Sequence, residues 1–319
     1  MNADLMRVST VNMSRQDWLN RRRKTLGGSD AAGIVHLSKW STPYTVWADK
    51  TGRLPDKEDT EAMRIGRDLE EYVARRFAES TGKKVRRLNA MLYNPAYPFA
   101  HADIDRAVVG EDAGLECKTT SDQNLKKFAN TDFPEQYYAQ CVHYLAVTGA
   151  ERWYLAVLVF GRGFFVYTLE RDEAEVAALM AAEAAFMRQY VRTDSPPPVD
   201  GEPATGEAIQ TIFAKSCNEC VTLFGAEHML DEYAQLKDLR TSIDKQLSGI
   251  ENQIKQRMDT ASTGTCGDYS VSWKTQTRTL LDTAKLRAEH PEIDFTKYSK
   301  TSESRPFRVT QIESKEKEI

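Results

Sequence analysis

Residues 100–121 read AHADIDRAVVGEDAGLECKTTS, and three side chains in this stretch have the types and spacing for chemistry. A strand over 113–119 alternates its faces, so Glu116 and Lys118 share one face and Cys117 takes the other. An acid and an amine so placed on an exposed strand make a surface ion pair worth little. Leu115, Cys117, Val108 and Val109 mark these strands as buried instead. Asp105 falls inside an expected strand over 100–109, where Asp is disfavoured. A buried carboxylate needs a cation or a metal beside it. A hairpin that sets Asp105 against Glu116 gathers two carboxylates and one ammonium, a hard-oxygen set suited to Mg2+ or Mn2+. Glu70 is a third acid, on the polar flank of the preceding helix. Pattern alone leaves it open as a site acid or a solvated helix acid beside Asp68 and Glu71.

The elements that must position these residues are set by periodicity and punctuation. Residues 14–24 read as a helix capped by Ser14, with Trp18 and Leu19 on one face and Arg21, Arg22, Arg23 and Lys24 at its end. Gly27 and Gly28 break it, and Ser29 or Asp30 caps a short helix over 31–35. Thr42-Pro43 opens a helix to Lys50. Ile65, Leu69, Val73 and Phe77 recur at helical spacing, predicting a long amphipathic helix over 63–80 that Gly82 ends. The period then shortens, predicting strands over 84–93, 100–109 and 113–119, a helix over 133–147, and a hairpin over 153–169 turning at Gly161-Arg162. An Ala-rich helix over 173–192 leads to Ser195-Pro196-Pro197-Pro198, the clearest linker in the chain. The expected division is therefore a core over 1–200 and a mainly helical extension over 201–319. In that extension Leu236, Leu239, Ile243, Leu247, Ile250, Ile254 and Met258 form a short heptad-like seam, expected to pack within the chain. A small β segment is expected at 269–275, with a further strand at 305–309. The order of elements predicts an α/β core with a mixed sheet flanked by helices.

The chain has 319 residues, 41% of them hydrophobic, enough for a real core and against wholesale disorder. No apolar run reaches the ~18–20 residues of a membrane helix, and the first residues lack the apolar stretch of a secretory signal. Five irregularly spaced cysteines fit a reducing cytoplasm better than a disulfide framework. Cys217 and Cys220 form a single C-x-x-C without the second ligand pair that zinc needs, and the five do not make an iron–sulfur set. The net charge of −4, taken as a total, argues against nucleic acid, but it conceals a partition. Residues 1–90 carry a net +6, 91–164 a net −3, 165–210 a net −6 and 211–319 a net −1. Local fields, not totals, meet a polyanion.

The D-x10-E-x-K spacing of Asp105, Glu116 and Lys118 resembles the PD-(D/E)XK nuclease motif. Three further segments narrow the resemblance to the lambda-exonuclease-like phage alkaline exonucleases, the YqaJ-type viral recombinases: LGGSDAAGIVHLS at 26–38, IGRDLEEYVARRFAESTG at 65–82, and residues 137–173 from YYAQCVHYLAVTG onward. Together they span roughly residues 15–190 in the family's order. The resemblance implies a restriction-endonuclease-like core. The family's Gly-x-x-x-Glu helix motif falls on Gly66 to Glu70, selecting Glu70 over Glu71. The sheet aspartate falls on Asp105, although the usual Pro-Asp-Gly is here Ile104-Asp105-Arg106, which keeps Asp103 as a lesser candidate. The resemblance implies Asp105, Glu116, the Cys117 backbone carbonyl and Glu70 as ligands of Mg2+, which Mn2+ can replace. It implies Lys118 beside the attacking water and Gln140, in the helix motif that begins at Tyr137, as support for the site. Arg22, then Arg23, and Ser29 match the segment that grips a 5′-phosphate in relatives.

The resemblance further implies a phage or prophage enzyme of the bacterial cytoplasm. It would digest one strand of linear double-stranded DNA 5′→3′, leaving 3′ overhangs for recombination. A single-strand annealing protein (RecT/Bet type) and a ring-shaped homotrimer are the implied partners, with no membrane. Two metal ions can together activate water and stabilise the departing alkoxide. The alternatives are a structure-specific endonuclease of the same superfamily and a non-catalytic DNA-binding module on the same fold. His101 and His143 could reach the site but are read as structural or surface histidines, and Trp153 and Tyr154 as sheet core.

Overall fold

The computed structural model describes residues 4–56, 58–121 and 133–310, with the backbone alone at Gln136. It divides into two compact units, the first ending at Ala214 and the second beginning at Lys215.

The first unit opens with β1 (Met6–Ser9), a strand the sequence does not signal, then α1 (Arg15–Lys24), α2 (Gly28–Ile34), α3 (Pro43–Lys50) and α4 (Glu61–Thr81). Each start has a local cause. Ser14, Thr42 and Thr60 accept hydrogen bonds from backbone N–H groups three residues on, which satisfies donors a helix start leaves free. Gly82, at φ +73°, ends α4 in the left-handed region that glycine adopts without a Cβ penalty.

The strands are shorter than expected. The expected strand over 84–93 is two strands, β2 (Val85–Arg86) and β3 (Ala90–Tyr93), parted by Asn89 at φ +45°. The expected strand over 100–109 is likewise β4 (Ala102–Asp103) and β5 (Arg106–Val108). In both cases the two pieces join different sheets, a three-stranded β1-β3-β4 and a five-stranded sheet. The latter has the order β2-β5-β6-β7-β8, with β6 (Ala113–Thr120), β7 (Arg152–Val159) and β8 (Gly163–Glu170). Within this sheet β6 and β7 pair parallel and the other neighbours antiparallel, with α5 (Glu135–Thr148) between β6 and β7 in sequence. The sheet is therefore mixed.

Helices cover both faces. Val73, Ala74 and Phe77 of α4 pack on Val108, Leu115, Tyr154 and Ala156. On the other face α5 and α6 (Glu173–Phe186) build the larger core around Trp153, Leu155 and Val157. Leu115 thus points at α4, and Gly114, Glu116 and Lys118 point at the α5 side, the alternation expected of β6. A π-helical turn at Met187–Val191 follows α6. The boundary falls after Ala214 rather than near 200, because α7 (Pro203–Ile212) belongs to the first unit: Thr205 Oγ1 lies 2.7 Å from Thr42 Oγ1, and Ala208 joins Leu26, Trp47 and Phe186 in a buried cluster.

The second unit holds α8 (Glu227–Met258), the antiparallel pair β9 (Thr263–Cys266) and β10 (Tyr269–Ser272), and α9 (Thr283–Glu289). No strand forms at 305–309. Leu236, Leu239, Ile243, Leu247, Ile250 and Ile254 line α8 as expected, yet all are exposed, contrary to the intrachain packing the pattern favours.

Gly114 is required by packing. A Cβ there would overlap the Trp153 ring, which is fully buried. Gly114→Ala should lower stability by about 1–3 kcal/mol through overpacking. Thermal unfolding checks this, and an unchanged midpoint would contradict the close approach.

Candidate active site

The split of the strand over 100–109 places Asp105 at the fork between the two sheets. Its Oδ2 accepts the Cys117 N–H at 2.7 Å, taking a donor on the adjacent strand just beyond the last β5–β6 pair, Arg106 with Leu115. Glu116 is 3% exposed. Its Oε1 accepts from Gln140 Nε2 at 2.7 Å and meets Lys118 Nζ at 2.5 Å, while Oε2 is buried with no hydrogen-bond partner among the described residues. Gln140 also donates to Tyr144 Oη at 2.8 Å. Gly28 of α2 sits so close to Tyr144 that a Cβ would lie 2.7 Å from its ring. This glycine lets α2 come down on α5.

The electrostatics are those of crowded carboxylates. Burial first, and the Glu116 charge second, push Asp105 well above the usual carboxylate range. Burial opposes the charge on Lys118, but Glu116 and Asp105 outweigh it and raise the ammonium's pKa above its ordinary value. Lys118 Nζ also lies 5.5 Å from the centre of the Tyr137 ring. Burial and crowding therefore disfavour the charged form of Asp105 unless a cation joins it, and one buried Glu116 oxygen has no hydrogen-bond partner among the described residues. Both observations fit a divalent cation bound by Asp105 and Glu116.

Glu70 reaches the same cleft but is engaged elsewhere. Its carboxylate pairs with Arg106, whose side chain is 3% exposed, and lies 3.5 Å from Arg87. Arg106 also reaches Glu71 at 3.0 Å and the Asp105 carbonyl at 2.6 Å. Among the described residues no three His, Cys, Asp or Glu side chains converge as a ready cation cage. Asp103 is likewise committed, accepting from the Trp18 indole at 3.1 Å. Asp105, not Asp103, faces Glu116.

A second set of groups lines the same cleft, which has a volume of about 550 Å³. Arg22 Nη2 donates to Ser29 Oγ at 2.7 Å, and its guanidinium stacks 4.5 Å from the Trp18 ring centre. Arg23 points away to Asp56 at 2.5 Å and does not line this cleft, so of the two expected arginines only Arg22 belongs to it. His101 lines the cleft too. Burial, then Arg22 and Lys50, hold its pKa well below the ordinary value, and Thr25 Oγ1 lies 2.8 Å from its Nδ1. His143 is structural as expected, wholly buried between Glu183 at 2.8 Å and the His101 carbonyl at 2.8 Å.

Sequence reasoning missed Arg106, Tyr144, and the pair Asp30 and Lys50. The departure from Pro-Asp-Gly is the one signal for Arg106. Asp30 Oδ2 lies 2.6 Å from Lys50 Nζ and accepts the Gly27 N–H at 2.8 Å. Nothing in local spacing links Asp30 to Lys50.

A model of the YqaJ-like viral recombinase domain matches residues 17–151, a span that includes every residue of the cleft named above. Over 305 residues the chain is 39% identical to the uncharacterized protein YqaJ of Bacillus subtilis (strain 168), covering 94% of this chain and 95% of that protein. Among solved structures, an alkaline exonuclease (LHK-Exo) from Laribacter hongkongensis is similar at 17% identity and a TM-score of 0.45, over 56% of this chain and 93% of that one. A phage related exonuclease from Haemophilus somnus 129PT is similar at 12% identity and a TM-score of 0.41, over 56% of this chain and 100% of that one.

The Asp30 pair makes a pH prediction. Burial opposes the Asp30 charge, but Lys50 and Arg22 outweigh it and hold the pKa at about 2 against an ordinary 3.8. A depressed folded pKa contributes stability that is full above about pH 4 and lost as pH falls towards about 2, here about 2 kcal/mol. Wild type should therefore exceed Asp30→Asn in thermal midpoint at pH 7, and the gap should narrow by pH 3. A gap independent of pH would sink the assignment.

Proposed function

Because the chain belongs to the YqaJ-like viral recombinase family, we propose that its cleft is the active site of a Mg2+-dependent deoxyribonuclease that digests one strand of linear double-stranded DNA from the 5′ end. The observation that carries this reading is one cleft holding two different devices. One is the buried Asp105–Glu116 pair with its unsatisfied Glu116 Oε2 and adjacent Lys118. The other is the Arg22–Ser29 pair stacked on Trp18.

Asp105, Glu116 and the Cys117 carbonyl would hold the cation, which supplies charge stabilisation for the phosphate under attack and for the departing alkoxide. The protein's own residues do the rest. Lys118 keeps its proton beside Glu116 and stabilises hydroxide developing on the attacking water, without acting as the general base. Gln140 fixes the Glu116 carboxylate by donating to Oε1. Arg22 offers a planar donor fork suited to a terminal phosphate, and Ser29 offers its hydroxyl. Phosphate contacts position DNA without reading its sequence, so digestion is sequence-nonspecific and binding weakens steeply with salt. Glu70 would serve as a further ligand beside its pairs with Arg106 and Arg87, both of which use Oε1. The product is a 3′ single-stranded overhang, the substrate class of a single-strand annealing protein (RecT/Bet type). A homotrimeric ring around DNA would make digestion processive. The enzyme acts in the cytoplasm of a bacterium carrying the phage or prophage.

End-labelled linear duplex with Mg2+ tests the reading. The expected outcome is release of 5′-terminal nucleotides, with covalently closed circular duplex left intact. Cutting of the closed circle would replace the exonuclease reading with an endonuclease. Asp105→Ala and Lys118→Ala should each lose at least about 100-fold in rate, the scale of removing a group that acts on the transition state, while keeping the native melting transition. Wild-type rates in either folded variant would refute the site. Arg22→Ala should lose the preference for a 5′-phosphate over a 5′-hydroxyl end.

A further inference from the structure

The segment carrying Arg22 and Ser29 is held by groups that the cleavage reading leaves without a role. Lys50 ends α3, yet its side chain is 1% exposed. Its ammonium makes two contacts. Nζ meets Asp30 Oδ2 at 2.6 Å and donates to the Arg22 backbone carbonyl at 2.9 Å. The same Asp30 oxygen accepts the Gly27 N–H at 2.8 Å. One buried cation thus ties the end of α1 to the first turn of α2, and these are the two places that bear the guanidinium and hydroxyl of the Arg22–Ser29 pair.

Burying a lysine costs side-chain entropy and desolvation, and a buried ion pair is weak evidence for stability because apolar groups of similar size often do as well. A role in charge accounts for it better. Asp30 lies within electrostatic reach of Arg22 as well as Lys50. Without Lys50, its carboxylate would stand uncompensated beside Arg22 and would compete with any phosphate entering the cleft. With Lys50 in place the carboxylate is neutralised by its own ion pair, and the Arg22 charge is left for the ligand.

We propose that Asp30 and Lys50 are positioning residues that set selectivity for a terminal phosphomonoester at the Arg22–Ser29 pair. Lys50 cancels the Asp30 carboxylate and pins the Arg22 backbone. The proposal rests on the reading of that pair as the 5′-phosphate site, and it assigns the selectivity to a contact that touches no substrate.

The test uses the full chain and two linear duplexes that differ only in a 5′-phosphate or 5′-hydroxyl. In Lys50→Met the KM for the phosphorylated end should rise about tenfold, the scale of one unneutralised charge near a partly screened site. Its kcat and the rate on the hydroxyl end should stay within about twofold of wild type. The preference ratio therefore falls about tenfold. The double variant Asp30→Asn/Lys50→Met removes the competing carboxylate with the cation and should recover the ratio to within about threefold of wild type. Lys50→Gln carries the same test with hydrogen bonding retained should Lys50→Met not show a native melt. Equal losses on both ends, or a double variant as unselective as the single, would overturn the proposal and leave Lys50 a merely structural residue. A wild type indifferent to the 5′ group overturns the phosphate-site reading and this proposal with it. A wild type that discriminates, with Lys50 variants that discriminate equally, overturns this proposal alone.

Discussion

The cleft depends on keeping two carboxylates, Asp105 and Glu116, close together under cover. Burial and the neighbouring Glu116 both disfavour the charged form of Asp105, and each acid is held in place by a defined partner. Asp105 is held by the Cys117 N–H at 2.7 Å, a backbone donor that cannot move without moving β6. Glu116 is held by Gln140 from α5 and by Lys118 from its own strand. The sheet fixes one acid, a helix fixes the other, and the crossing of α5 over β6 sets their relation. Gly28 and Gly114 serve this arrangement. The first lets α2 approach Tyr144, and the second leaves room for Trp153 beneath the strand that carries Glu116.

Charge geography is shaped by the same constraint. The +6 of the first 90 residues is not spread evenly over a surface. Arg23 is engaged by Asp56, Arg53 by Asp194 and Arg67 by Asp59, while Arg22 faces the cleft against the Ser29 hydroxyl and the Trp18 ring. The net charge of −4 therefore says little about a polyanionic partner. Part of the acidic excess sits where a cation would offset it, and Lys50 joins the Asp30 carboxylate to the backbone carbonyl of Arg22, which lines the cleft.

Features with a local cause were legible in the sequence. Side-chain alternation along β6 placed Glu116 and Lys118 together, caps and glycines set the ends of α1, α3 and α4, and the shift of period separated helices from strands. The illegible parts arise from contacts distant in sequence. The division of residues 84–93 and 100–109 between two sheets depends on Asn89 adopting φ +45° and on Asp105 taking a hydrogen bond from β6. Ser195-Pro196-Pro197-Pro198 has every mark of a linker, yet α7 beyond it is drawn back by Thr42 and the Trp47 cluster. The α8 seam shows the reverse case. Its period is plain, but period does not say what covers a face.

Arg106 changes how the acids of the cleft should be counted. By pattern, Glu70, Asp105 and Glu116 are three carboxylates against one lysine, a surplus matched to two divalent cations. In the fold, Arg106 stands where the Pro-Asp-Gly pattern has glycine and gives Glu70 a buried partner, with Arg87 nearby. Arg106 is held by Glu71 at 3.0 Å as well, so the two helix acids share one buried guanidinium. What remains on the Glu116 side is Asp105, whose charged form burial and Glu116 disfavour, and one buried Glu116 oxygen without a hydrogen-bond partner among the described residues. That arrangement suits one cation between Asp105 and Glu116. A ligand role for Glu70 would therefore share that carboxylate with Arg106 and Arg87, both of which pair with its Oε1.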